Sequence, residues 1–77
     1  MNTLTRNGLP ISLILNIELD HMDDYKVISR LGDYVALVDS IIRINTNNLR
    51  QFSASELQHY QYLVDVYQAE AITRGLL

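Results

Sequence analysis

Two glutamate–histidine pairs are the residues in this chain whose types and spacing could do chemistry. Glu18-Leu-Asp-His21 and Glu56-Leu-Gln-His59 share the Glu-x-x-His spacing. On a helix that spacing puts a carboxylate and an imidazole on one face, as di-iron four-helix proteins place ligands in their cores. Such centres need further inward glutamates, and Glu70 alone remains to supply one. Glu56 is also wanted for a helix cap. A small metal-binding four-helix dimer using these pairs is therefore a minor alternative, and no cofactor is expected. The run Asp20-His21-Met22-Asp23-Asp24 can be read as a metal or acid–base cluster. It reads better as a capped, solvated helix start.

Other chemistries lack their residues. There is no cysteine, no glycine-rich phosphate loop and no serine with a matched base. A domain this small also encloses little pocket volume, so no enzyme activity is expected. Net charge is −3, from six Lys plus Arg against nine Asp plus Glu, and the basic residues are scattered. Phosphate-binding surfaces need them clustered, which disfavours nucleic acid and anionic membrane. The most apolar run, residues 9–19, is broken by Ser12, Asn16 and Glu18. It falls short of the ~20 apolar residues of a membrane span and lacks signal-peptide features. A cytoplasmic location is the default.

The elements that must position these residues are helical. Over residues 24–45, Val27, Ile28, Leu31, Tyr34, Val35, Val38, Ile41 and Ile42 fall on one arc at 100° per residue. The arc is roughly 140° wide, as expected for a helix burying one side. Asp23 or Asp24 can cap its start. Residues 45–52 break the pattern with turn-favouring types. Ser53 and Glu56 then have capping-box spacing, with Phe52 and Leu57 in the two positions of a hydrophobic staple. The last helix covers residues 54–74. Leu57, Tyr60, Leu63, Val64, Tyr67 and Ala71 are its apolar face, and Gly75 is its stop.

The N-terminal part is less determined. Residues 1–8 read as a flexible tail, although Asn7-Gly8 is a turn signal and Leu9-Pro10 favours extended backbone. Residues 11–20 fit two periods. As a strand they point Ile11, Leu13, Leu15, Ile17 and Leu19 one way. As a helix they carry a polar stripe of Ser12, Asn16 and Asp20. A strand there would need a partner strand and would give the element order of dimeric ribbon-helix-helix DNA-binding regulators. The likeness is one of order only, and no Arg or Lys lies on the segment.

The expectation is thus a single small all-α domain over residues 1–77. It is an antiparallel hairpin of two long helices preceded by a short helix or strand. Two wide apolar arcs exceed what one hairpin buries, so a homodimer with a four-helix core is expected to complete it. Gly32, Leu37 and Ile44 lie off the central arc, and Tyr25 and Tyr62 fall off theirs. These five are the expected partner contacts. The functional expectation is a protein-binding regulator, inhibitor or adaptor, with a DNA-binding regulator as the alternative.

Overall fold

A turn with positive φ at both central residues, +53° at Asn7 and +84° at Gly8, lies near the start of the chain in the computed structural model. The structure describes residues 4–47 and 52–77. Positive φ at both positions is what a two-residue type I′ hairpin turn requires, and Asn-Gly supplies it at least strain. The turn joins β1 (Thr5–Arg6) to β2 (Leu9–Pro10), antiparallel, with Thr5 opposite Pro10 and Arg6 opposite Leu9. The Ile11 N–H donates to the Leu4 carbonyl at 2.9 Å and lengthens the ladder by one bond. Residues 4–8 are therefore structured where a loose tail was expected. Residues 1–3 lie outside the described residues.

The ambiguous segment is a helix. α1 (Leu13–Asp20) begins at Ser12, whose Oγ accepts from the Leu15 N–H at 3.2 Å. Pro10 closes β2, and Ile11 is buried just before the helix begins. α2 (Asp24–Thr46) is capped by Asp23, which accepts from the Lys26 N–H at 2.7 Å. α3 (Ala54–Thr73) opens at the expected Ser53 cap, with Ser53 and Glu56 bonded to each other. Ser53 Oγ accepts from the Glu56 N–H at 3.1 Å, and the Ser53 hydroxyl donates to the Glu56 carboxylate at 3.3 Å. The turn expected over residues 45–52 falls partly on residues 48–51, outside the described residues. At the other end Gly75, at φ +75°, makes the C′ turn. Leu76 N–H reaches back to the Ala71 carbonyl at 2.8 Å and Gly75 N–H to that of Ile72 at 3.0 Å. This pair is a Schellman motif, and Leu76 packs onto the core as that motif favours.

α2 and α3 pair along their length as an antiparallel hairpin. Their contact carries a tyrosine stack in which the Tyr34 ring centroid lies 5.3 Å from Tyr67 and 6.5 Å from Tyr60. The core gathers where α1 and the end of β2 meet the first half of α2 and the last half of α3. Ile11, Leu19, Val27, Val66, Tyr67 and Ala71 form it. Leu9, Leu15, Met22 and Leu31 pack around them. Burial of Val66 beside the expected Tyr67 and Ala71 shows that α3 is covered on two sides. One side meets α2, and the other meets α1 and the β-hairpin. With extents of 39 × 33 × 17 Å the fold is a slab.

Candidate functional site

Glu70 is the polar residue this fold depends on, at 4% exposure in the last turn of the last helix. Arg6 reaches it from the β-hairpin with two bonds, Nε at 2.7 Å and Nη2 at 3.1 Å. Asn7 Nδ2 adds a third at 3.0 Å, and Arg74, one turn along α3, a fourth at 2.7 Å. Each arginine then reaches outward. Arg6 donates to Asn16 Oδ1 at 2.8 Å and Asp20 at 2.6 Å on α1. Arg74 donates to the Leu19 and Met22 carbonyls, both at 2.7 Å, and to Asp24 at 2.9 Å. The guanidinium of Arg6 is the main cause that holds the Glu70 carboxyl down at about 2, against the upward push of burial. The cluster fastens the C-terminal half of α1 to α3, with each of its charges matched within the chain.

Nothing else in the described residues assembles a reaction centre. The two Glu-x-x-His pairs do not come together, and no group of three or more His, Asp or Glu that could hold a metal ion occurs among the described residues. Glu18 and His21 line a shallow groove of about 490 Å³ with Ile17, Met22, Asp23, Lys26 and Arg30. Glu56 serves its cap, and His59 stands edge-on to Tyr60 with ring centroids 5.4 Å apart. Burial pushes the Tyr67 phenol up, partly offset by the Arg30 guanidinium beside it. That tyrosine belongs to the core. Residues 13–20 being helix, the strand on which the likeness to ribbon-helix-helix regulators rested is not there.

The informative surface is apolar. On α2 the stripe Ile28, Val35 and Ile42 is 38%, 49% and 44% exposed, although all three belong to the arc expected to be buried. Val35 and Val38 border a groove of about 320 Å³ whose other wall is Gln61, Val64 and Asp65 of α3. Only α2 and α3 line it, so this face of the hairpin has no third element upon it. On α1, Leu13, Ile14 and Ile17 form a second outward patch, with Ile14 at 72%.

The five expected partner contacts are dispersed. Tyr25, at 83%, is the most exposed large apolar residue, on the same side of α2 as the stripe. Gly32 also faces out there, and a methyl group built on it would meet no atom of another element within 4 Å. Leu37 and Ile44 are half-buried. Tyr62 is spent inside the chain, packed on the core with its hydroxyl donating to the Pro10 carbonyl. Sequence periodicity placed Ile28, Val35 and Ile42 on the apolar arc without marking them as its uncovered part, because it shows which residues share a side, not how much of that side is covered. The 7-residue spacing of the three was the available signal. No helix among the described residues is long and apolar enough to cross a membrane. The chain matches no protein-family model, no curated protein and no solved structure in comparisons with each.

Proposed function

We propose that this protein is a small non-enzymatic interaction module of the cytoplasm, a homodimer that regulates, inhibits or adapts a larger protein by binding it. The observation that carries this reading is the apolar surface that no element of the chain covers: Ile28, Val35 and Ile42 on α2, and Leu13, Ile14 and Ile17 on α1. Scattered single apolar residues are ordinary, but contiguous rows mark contact surfaces. Two separate rows suit two contacts, one with a second copy and one with the protein target. The fully matched Arg6–Glu70–Arg74 cluster supports a structural rather than catalytic use of the charges.

Light scattering combined with affinity capture tests both halves. The expected results are a dimeric mass at micromolar concentration, and a captured protein that is lost when Ile14→Glu is introduced at unchanged helicity. A monomeric mass refutes the dimer. Capture indifferent to Ile14→Glu, or no captured protein, refutes the α1 surface as the binding site.

A further inference from the structure

The α2 stripe is symmetric about its middle residue. Ile28 and Ile42 each lie seven positions from Val35, so the row reads the same in either direction. A twofold contact uses one patch on both subunits and must be self-complementary. Resting on the homodimer reading above, we propose that two copies pair through α2 in antiparallel fashion, with Val35 on the twofold axis. Ile28 of one copy then lies against Ile42 of the other.

Three observations select this occupant and this direction. The first is surface. The chain exposes 5423 Å², whereas a compact monomer of 8.9 kDa exposes roughly 4,800 Å². Its radius of gyration is 13.8 Å, against about 11.5 Å for a compact chain of this length. The excess of roughly 600 Å² approaches the ~800 Å² per partner of a standard interface. The uncovered α2–α3 groove is the face on which a second hairpin can remove it.

The second is charge. Asp39 lies four positions, about one helical turn, from Val35; it is exposed, and its carboxylate accepts from Arg43 a turn further on. Parallel pairing sets Asp39 level with Asp39 of the second copy, a like-charge contact at the seam. Antiparallel pairing about Val35 instead brings Asp39 level with Leu31 and beside Gly32, away from the like charge. The third is the aromatic flank. Antiparallel pairing carries Arg43 of one copy to the level of Val27 in the other, within a turn of Tyr25 on the same flank. A guanidinium over an exposed tyrosine face is a favourable pair. It would give Tyr25 and Arg43, exposed in the single chain, a shared place.

Cysteine crosslinking decides the matter cleanly, since the chain has no cysteine of its own. Single Val35→Cys, Ile28→Cys and Ile42→Cys chains are oxidised under mild conditions at native helicity. The expected pattern is a Val35→Cys disulfide dimer, little self-linking of Ile28→Cys or Ile42→Cys, and a mixed disulfide when those two are combined. Self-linking of Ile28→Cys shows parallel pairing and overturns the inference while leaving the dimer intact. A dimeric mass with no Val35→Cys crosslink places the interface elsewhere and also overturns it. A monomeric mass for the unsubstituted chain overturns the homodimer reading itself. As a check that needs no crosslink, Val35→Glu should convert the dimer to a folded monomer. A Val35→Glu chain that stays dimeric overturns the inference.

Discussion

Replacing Glu70 by Gln keeps the shape of the side chain and removes the charge that two arginines surround. The folded carboxyl sits at about 2 where an unconstrained one sits at 4.5. A depression of that size corresponds to roughly 3 kcal/mol of folding free energy at neutral pH. At 4% exposure the group is shielded from the solvent that weakens surface pairs. Because the folded value lies below the unfolded one, the unfolded chain binds the proton more readily. The contribution is complete above about pH 4.5 and drains away as pH falls towards about 2. Urea unfolding followed by far-UV circular dichroism, on both chains at neutral and acid pH, measures it. The expected gap between native and Glu70→Gln is about 3 kcal/mol at pH 7 and shrinks towards nothing near pH 2. A domain of this size has only about 4–12 kcal/mol of net stability, so the substituted chain should be visibly weakened. A gap below about 1 kcal/mol at neutral pH, or one that does not narrow on acidification, refutes the assignment of this stability to the carboxylate.

Three further outcomes follow from local geometry. Ser53→Ala removes the cap of α3 and should cost about 1 kcal/mol by urea unfolding, leaving helix content nearly unchanged. Gly75→Ala forces a side chain into left-handed backbone and should cost about 1 kcal/mol in the same measurement. Ile41→Ala empties a site with no solvent exposure, away from the main core cluster, and should cost about 2–5 kcal/mol.

The long helices and their ends were legible because local rules govern them. Asp23 and Ser53 cap through residues three positions away, and Gly75 stops α3 with bonds to its own last turn. Residues 11–20 were not legible because Ile11, Leu13, Leu15, Ile17 and Leu19 satisfy one period while Ser12, Asn16 and Asp20 satisfy the other. The Ser12 cap and the Arg6 bond to Asn16 favour the helix. The Arg6–Glu70 pair joins residues 64 apart, and no local pattern announces it. Asn7-Gly8 did signal the turn, but the docking of Arg6 and Asn7 on Glu70 and of Leu9 and Ile11 on the core is what offsets the ordering entropy of so short a ribbon. Gly32 is an expected partner contact off the central arc. Within one chain nothing approaches it.

The Arg6–Glu70 fastening also bears on the order of assembly. Bringing the two residues together from an open coil closes a loop of nearly the whole chain, and that closure is entropically unfavourable. Once α2 and α3 have paired, Glu70 lies beside the start of α2, and the remaining closure spans only β1, β2 and α1. Loop-closure entropy thus favours docking of the N-terminal ribbon onto an already paired hairpin.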